Sequence, residues 1–248
     1  MILHIPHADP TIPPDLREQF ILPDSGLQEE LLQSTDWFTD ELFAGERCPV
    51  VRFPVSRLVV DPERFEDDAS EPMSAVGRGV VYLSTKDGIP LRRQITTRER
   101  EALLRRYYHP HHSRLTDAVL SELTRTGGAL LVDAHSFPST AWKLEPRPDA
   151  RRPDFCIGTD PFHTPPELAE RARSFLAGRG YSVLENEPYG GSLVPMEFYR
   201  SDTRVASIMI EVNRRIYMDE STGSRGPKFS RIQSVVTKVC RLLSRIVP

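Results

Sequence analysis

Short, continuous apolar runs separated by longer amphipathic stretches are the feature that most constrains the fold of this chain. Seven runs have the length and composition of strands: MILHI, VVRFPV, RLVVD, ALLVDAH, DFCIG, YSVLE and ASIMIEVN. Several of them lack strict polar and apolar alternation, which is typical of a sheet buried on both faces. Apolar residues at helical spacing fill the segments between them. This alternation predicts an α/β fold in which helices are layered on a sheet.

The predicted helices are defined by apolar residues that recur every three to four positions. One spans LLQSTDWFTDELF, and the others are marked by Leu104 to Val119, by Leu168 to Leu176 and by the final segment RIQSVVTKVCRLLSRIV. Pro110 lacks an amide hydrogen, so we expect a kink or break around YYHPHHSRL. Two long loops, DPERFEDDASEPMSAVGRG and SFPSTAWKLEPRPDARRPD, are rich in proline and charge. Long ordered loops in a compact domain are often functional.

Composition narrows the classes of protein. With 248 residues and 39% hydrophobic content, the chain is expected to form a single domain, 1–248. Its net charge of -3 offers no basic footprint for nucleic acid. The three widely spaced cysteines are expected to be reduced, and no signal peptide or membrane-length apolar stretch is present, so we predict a cytoplasmic protein.

Polar side chains with catalytic capability follow several predicted strands. In open α/β sheets, ligands bind beyond the carboxyl ends of the strands, so these exits are the first place to expect a site. The residues at the exits are His7, Arg57, Asp61, Asp133, His135, Glu211, Asn213 and Arg214. Their convergence at one edge is the main functional prediction from the pattern.

A metal site is one interpretation of the histidines. Asp133 and His135 lie on one face if their strand persists, so the aspartate could orient the imidazole, or the pair could be a hydrogen-bonded strand end. His7 at another exit strengthens the metal interpretation, because two histidines and a carboxylate can hold catalytic zinc. The nearest acidic candidate is Asp36, with Asp40 one turn on. Both aspartates could instead belong to a solvated helix face.

Glu211 follows a buried apolar run and is a candidate general base and acid. The alternative is a structural ion pair with Arg214 or Arg215. Arg57 and Arg214 suit binding of a carboxylate or a developing oxyanion.

Two weaker motifs lie elsewhere. PYGGSL, from Tyr189 to Leu193, offers a turn where backbone could approach a ligand closely. In the HPHH cluster a partly buried, hydrogen-bonded role is expected, with at most His112 near the site. The sequence contains no P-loop, no G-x-G-x-x-G after the first strand and no G-x-S-x-G elbow.

In these segments the chain resembles the N-formylglutamate amidohydrolase family, also called N-formylglutamate deformylase. The resemblance rests on eight segments in the family's order: ILHIPHADPTIP, TDWFTDELF, SRLVVDPERF, GRGVVY, YYHPHHSRL, LLVDAHSFP, PYGGSLV and IEVNRRIYMDE. It implies a zinc-carboxypeptidase-like, three-layer α/β/α fold around a mixed, mostly parallel sheet. It also implies hydrolysis of N-formyl-glutamate to formate and glutamate, typically at the end of bacterial histidine breakdown.

The resemblance further implies roles for individual residues. His7, Asp36 and His135 are expected to hold one Zn²⁺ ion, and Glu211 matches the catalytic carboxylate. Arg57 and Arg214 match arginines of the family motifs. We predict a small-molecule substrate, an N-acyl amino acid, and substrate contacts from five residues: Arg64, Asn213, Tyr189, Gly190 and His112.

Two departures from the family pattern concern specificity. Ala8 replaces a hydroxyl residue beside the first expected ligand, and Glu63 stands where an amide is expected, adding negative charge near a pocket for a dianionic product. A related metallohydrolase acting on another N-acyl amino acid or a peptide therefore stays an alternative, as does a non-catalytic metal-binding protein of the same fold. His4 points away from His7 in an extended strand, so we expect it to be structural.

Overall fold

Six strands form one mixed sheet in the order β2-β1-β3-β6-β4-β5. The structure is a computed structural model that describes residues 1–45 and 47–246. The strands are β1 Ile2–Ile5, β2 Val50–Arg52, β3 Ala129–Phe137, β4 Phe155–Gly158, β5 Val183–Glu185 and β6 Val205–Asn213. Neighbouring strands are parallel except for β4 and β6, which are antiparallel. The prediction of a mixed, mostly parallel sheet is therefore confirmed.

In residues 1–45 and 47–246, six α-helices accompany the sheet. They are α1 Asp24–Ser34, α2 Thr39–Leu42, α3 Thr97–Leu103, α4 His109–Thr126, α5 Pro166–Ala177 and α6 Phe229–Leu243. Short 3₁₀ turns occur at Pro14–Gln19, Pro72–Val76 and Arg214–Ile216, and a small hairpin pairs β7 Met218–Asp219 with β8 Ser224–Arg225. Within the part of the chain that the structure describes, none of the helices combines the length and apolar character that crossing a bilayer requires.

Helices cover both faces of the sheet, which gives three layers. Alternate residues of a strand point to opposite faces. In β3, Leu130 and Val132 pack in the cluster that contains α5 and α6. Leu131 packs in a second cluster with Leu115 and Val119 of α4. The continuous apolar pattern of β3 thus reflects burial on both sides.

The helix predicted through LLQSTDWFTDELF is wrong as a continuous element. It divides into α1 and α2, because Thr35 has an extended backbone (ψ 136°) and Phe38 has a left-handed one (φ 64°). The break carries Asp36, whose backbone N–H donates to the carbonyl of His7 at 2.9 Å. Asp36 is therefore fixed beside the end of β1 and is not part of a solvated helix face.

RLVVD was also predicted to be a strand, and it forms a turn instead. Its apolar residues are fully buried, but they pack in a separate cluster with Val80 and Tyr82. Apolar runs of this length do not distinguish a strand from a buried loop. The preceding run, VVRFPV, is a strand only to Arg52, shortly before Pro54, which has no N–H to donate.

The interruption predicted at Pro110 takes the form of a π-helical turn. This turn, Leu104–Tyr108, joins α3 to α4, and the His109 N–H donates to the carbonyl of Leu104, five residues back. Pro110 then lies in the first turn of α4, where a missing N–H is tolerated. The chain therefore continues as a helix through the proline.

Candidate active site

The register of three neighbouring strands sets the floor of the site. His135 of β3 pairs with Glu211 of β6, and Asp133 of β3 pairs with His4 of β1. His135 and Asp133 lie two residues apart on the face that carries α4, as the persistence of β3 requires. The structure thus brings these acidic and imidazole side chains together at one edge of the sheet.

A cavity of about 520 Å³ opens over this floor. Both long loops contribute to its wall, with Arg64, Met73 and Arg78 from the first and Trp142 and Leu144 from the second. The side chains with titratable groups on its floor are His7, Asp36, Glu63, Asp133, His135 and Glu211. The two long loops thus enclose the strand-end residues.

His7 offers one unpaired nitrogen to the cavity. Its Nε2 lies 2.9 Å from Oδ1 of Asp61, whereas its buried Nδ1 has no hydrogen-bond partner. Burial and the charge of Arg57 lower the pKa of His7, but Asp61 and Asp36 outweigh them and raise it above its usual value. A carboxylate that fixes one imidazole nitrogen is the usual support for a histidine that binds metal through the other.

His135 has a similar arrangement. Its Nε2 lies 3.1 Å from Oδ1 of Asp133, and its Nδ1 lies 3.2 Å from Oδ2 of Asp36. Asp36 is 2% exposed, and its Oδ1 accepts from Nη2 of Arg214 at 2.9 Å. Burial alone would raise the pKa of Asp36, but hydrogen bonds from His135 and His7 and the charge of Arg214 hold it well below its usual range. Asp36 is therefore an anionic group at the centre of the site.

The two distances from Asp36 to the histidines are close to those between ligands of one metal ion. Ligand atoms about 2.0–2.2 Å from a tetrahedral Zn²⁺ lie about 3.4 Å from one another. Oδ2 of Asp36 is 3.7 Å from Nδ1 of His7 and 3.2 Å from Nδ1 of His135. Two imidazoles and a carboxylate are also a donor set that zinc prefers. By donor type and by these two distances Asp36 fits the expected ion, but His7, Asp36 and His135 are not among the sets of described residues whose ligand atoms all lie within 4.8 Å of one another.

Glu63 is a competing third ligand that the sequence did not suggest. Its carboxylate lies 3.1 Å from Nε2 of His135 and 3.7 Å from Nδ1 of His7. Among the described residues, the sets whose ligand atoms lie within 4.8 Å of one another are His7, Glu63 and His135, and His4, Glu63 and Asp133. The departure noted at Glu63 therefore lies at the centre of the site.

Glu211 is buried in the cavity floor, and its Oε2 has no hydrogen-bond partner. Burial raises its pKa to about 8, with Asp36 and Glu63 acting in the same direction against His135 and Arg214. The arginines that could have paired with it bind elsewhere, Arg214 to Asp36 and Arg215 to Asp154. Glu211 is therefore a protonatable carboxyl group with room to exchange its proton.

Two of the predicted arginines line the cavity. Arg57 binds Oδ2 of Asp61 through Nη2 at 2.7 Å, and its Nε lies 3.2 Å from the hydroxyl of Tyr82. Arg64 lies 3.7 Å from Asp61 and 3.5 Å from Glu71, and its buried Nε has no hydrogen-bond partner. Both cations can contribute positive charge to an otherwise acidic site.

Arg214 and Asn213, which were also predicted to contact the substrate, are not among the residues that line the cavity. Arg214 is 2% exposed and donates to Asp36, to the Gln33 carbonyl at 2.5 Å and to the Ser136 hydroxyl at 3.2 Å. Asn213 binds backbone on both sides of its amide, accepting from the N–H of Arg215 and donating to a carbonyl in the loop before β4. The hydrogen bonds of both side chains lie within the protein, so a direct contact with substrate is not supported for either.

Tyr189, Gly190 and His112 do line the cavity. The Tyr189 hydroxyl accepts from Arg152, and His112 lies 2.9 Å from the carbonyl of Pro62. The turn after Tyr189 lies directly against β4. A Cβ at Gly158 of β4 would come within 2.2 Å of the carbonyl oxygen of Gly191. The close approach in the structure is therefore between this turn and the sheet, and an approach to a ligand stays a prediction.

The sequence did not reveal the roles of Asp61 and Arg78. The role of Asp61 follows from its hydrogen bonds. Asp61 is fully buried and accepts from His7, Arg57, Tyr82 and the Glu63 N–H, so it ties two loops to the end of β1. Burial would raise its pKa, but the charges of Arg57 and His7 hold it well below its usual range. The carboxylate after RLVV was visible in the sequence, but two of its partners, His7 and Tyr82, are far from it along the chain.

Comparison with known proteins gives consistent matches over most of the chain. The family model described as "N-formylglutamate amidohydrolase" matches residues 1–218. The N-formylglutamate deformylase of Pseudomonas aeruginosa is 30% identical over 231 residues, which cover 89% of this chain and 82% of the relative. That of Pseudomonas putida is 29% identical over 232 residues, with the same coverage.

Solved structures agree with these matches. The crystal structure of N-formylglutamate amidohydrolase from Ralstonia eutropha superposes with a TM-score of 0.84 at 26% identity, covering 99% of this chain and 93% of that one. The Atu2144 gene product of Agrobacterium tumefaciens shares the fold, with a TM-score of 0.66 at 19% identity over 98% of this chain and 91% of that one. The chain therefore belongs to the N-formylglutamate amidohydrolase family.

Proposed function

We propose that this protein hydrolyses N-formyl-L-glutamate to formate and L-glutamate. The observation that carries the proposal is the buried, unpaired carboxyl group of Glu211 beside two imidazoles whose Nδ1 atoms face Asp36. The activity named for the two Pseudomonas relatives supports the choice of substrate. A role in histidine breakdown and a cytoplasmic location stay predictions.

His7, Asp36 and His135 would hold one Zn²⁺ ion. When bound, the ion would lower the pKa of a coordinated water toward neutrality and polarise the formyl oxygen. Asp61 and Asp133 orient the two imidazoles through their Nε2 atoms. Arg214 acts through Asp36, because its guanidinium fixes the opposite oxygen of that carboxylate.

Glu211 is assigned the proton transfers. Its carboxylate takes a proton from the attacking water and delivers it to the amide nitrogen as the C–N bond breaks. A general base and acid works best when its pKa lies near the operating pH, and burial has raised that of Glu211 to about 8. The unpaired Oε2 is free to make both transfers.

The arginines of the wall are assigned to the charges of the substrate. Arg57 is the better placed of the two oxyanion candidates, since it lines the cavity and Arg214 does not. Arg64, with its unpaired Nε, is assigned to a substrate carboxylate.

The test of this proposal is formate release from N-formyl-L-glutamate by the purified protein. Glu211→Gln should keep the metal and reduce kcat about 10²- to 10⁴-fold, because the amide cannot accept the proton. Glu185→Gln, which changes a glutamate at the end of β5 outside the cavity lining, is the matched control and should leave kcat unchanged. An undiminished rate in Glu211→Gln would refute the role of this carboxylate.

Glu63 supports a second candidate substrate, an N-acyl amino acid with fewer negative charges. A carboxylate 3.1 Å from His135 disfavours a dianion near the metal site. A panel of N-formyl, N-acetyl and dipeptide substrates distinguishes the two. If Glu63 excludes the dianion, Glu63→Gln should raise kcat/KM for N-formyl-L-glutamate relative to substrates with a single negative charge.

A further inference from the structure

Arg78 is a buried cation in the cavity wall to which the proposed mechanism gives no role. It is 2% exposed and lines the cavity. Its guanidinium carbon lies 4.2 Å from the ring centroid of Tyr82 and 5.3 Å from that of Trp142. Contacts of this kind replace only part of the hydration that a buried guanidinium loses.

The charge of Arg78 is incompletely compensated by the protein. Its Nη1 lies 3.4 Å from Oε1 of Glu30, and its buried Nη2 has no hydrogen-bond partner among the residues that the structure describes. The same Glu30 oxygen also accepts from the Lys86 N–H at 2.8 Å and from Ser34 at 3.2 Å. Buried charges are normally paired and fully hydrogen-bonded, so Arg78 has unused capacity for an anion.

Trp142 provides a second unused donor beside Arg78. Its indole Nε1 is buried without a hydrogen-bond partner, and the residue lines the same cavity. A buried indole N–H usually finds an acceptor. Two donors that lack acceptors in one wall, one of them cationic, are complementary to a carboxylate.

Tyr82 connects this part of the wall to the proposed reaction centre. The ring of Tyr82 lies against the guanidinium of Arg78. Its hydroxyl contacts Arg57 and Asp61. Asp61 in turn binds His7. Arg78 is therefore near the reacting groups, but it is not among them.

We propose that Arg78 and the Trp142 indole N–H bind the side-chain carboxylate of the substrate, which makes the enzyme selective for N-formyl derivatives of dicarboxylic amino acids. This inference rests on the proposed function and adds to it the group that recognises the second carboxylate. Arg64 is left to bind the carboxylate next to the formyl-bearing nitrogen.

The test compares N-formyl-L-glutamate with N-formyl-L-glutamine, which has the same shape and lacks the side-chain charge. The native protein should prefer the glutamate derivative about 100-fold in kcat/KM, since losing one partner of a desolvated charge pair is costly. Arg78→Met should remove most of this preference, chiefly through KM for the glutamate derivative. An equal loss for both substrates, or no preference in the native protein, would overturn the proposal.

Two further variants separate recognition from stability. Trp142→Phe keeps an aromatic ring and removes the N–H, so the preference should fall about 10-fold, as expected for a hydrogen bond to a charged group. Arg92→Gln is the matched control. Arg92 is also a buried arginine with unpaired nitrogens over an aromatic ring, Phe20, but it does not line the cavity. Its loss should leave the preference unchanged, and a preference that fell equally in Arg92→Gln would contradict a specific subsite.

Binding of L-glutamate and L-glutamine, measured by calorimetry, distinguishes failure of this inference from failure of the proposed reaction. Tighter binding of L-glutamate that depends on Arg78, in a protein that releases no formate, would support the subsite and refute the proposed function. Formate release with equal binding of the two amino acids would refute the subsite alone.

Discussion

His4 and His7 lie three residues apart and are both buried, yet they belong to two different environments. His4 uses both ring nitrogens inside the protein, Nδ1 with Asp133 at 2.8 Å and Nε2 with His111 at 2.8 Å. His7 uses Nε2 with Asp61 and leaves Nδ1 unpaired at the cavity. The prediction that His4 is packed and hydrogen-bonded within the sheet is confirmed.

The difference is the one expected between a structural imidazole and a candidate metal ligand. An unpaired polar atom in a buried position costs free energy, so its persistence calls for a ligand that completes it. Asp133 belongs to both environments, because its Oδ1 is also 3.1 Å from Nε2 of His135. The two histidines are similarly buried. They differ in that both nitrogens of His4 have hydrogen-bond partners, whereas Nδ1 of His7 has none among the described residues.

The largest expected effect comes from His7→Ala. Removing a proposed ligand should abolish both zinc retention and formate release, a greater loss than the 10- to 100-fold typical of residues that only support a ligand. Zinc content by elemental analysis and turnover check this. Full zinc occupancy in His7→Ala would contradict its assignment as a ligand.

His4→Ala should mainly change stability. It leaves buried groups on Asp133 and His111 without their partner, so we expect the free energy of unfolding to fall by about 3 kcal/mol. Urea unfolding measures this, with His109→Ala as control. His109 is exposed, hydrogen-bonds Glu66 and packs its ring edge-on to Tyr108, so its loss should change stability by less than about 0.5 kcal/mol. If His4→Ala lost zinc without losing stability, the contrast with His7 would fail.

Asp61→Asn tests the support of His7 without removing the imidazole. The change weakens the partner that fixes Nε2, so zinc affinity should fall about 10- to 100-fold. Competition with a chelator of known affinity measures the change. Equal zinc affinity in the variant and the native protein would show that Asp61 holds only the loops together.

A further expected effect concerns pH and His112 of α4. Burial lowers the pKa of His112 to about 4, so the folded protein keeps this imidazole neutral where the unfolded chain binds a proton. The free energy of unfolding should therefore fall as pH drops from about 6.5 to 4, by up to about 1.4 kcal/mol per pH unit from this group. His112→Gln should reduce that slope, and an unaltered slope would show that the imidazole is not buried in neutral form.

The sequence was sufficient for the parts of the fold whose signals are local. The apolar runs predicted β1, β3 and β6, and helical spacing predicted α5 and α6, because burial leaves a periodic pattern. The prediction of a strand at RLVVD was wrong because its apolar side chains are as buried as those of a strand, although they pack against a loop. The break before Phe38 depends on a left-handed backbone that composition does not reveal.

The residues of the candidate site also fall into those that local sequence signals predicted and those that they did not. His7, His135 and Glu211 were predictable because strand ends converge at one edge of the sheet. Arg78 and Trp142 lie on long loops whose course is set by tertiary packing, so their positions could not be read from spacing. Asn213 ends β6 and Arg214 follows it, but their hydrogen bonds lie within the protein and away from the cavity.

The π-helical turn before α4 sets the angular phase of the helix that follows it. One extra residue in a turn rotates every later side chain by about 100° around the helix axis. Leu104 and Tyr107 pack in the cluster that contains Val80 and Tyr82. His111, farther along on α4, contacts His4 of β1. Deleting one residue from Leu104–Tyr108 would turn His111 away from its partner without changing a single amino acid of α4.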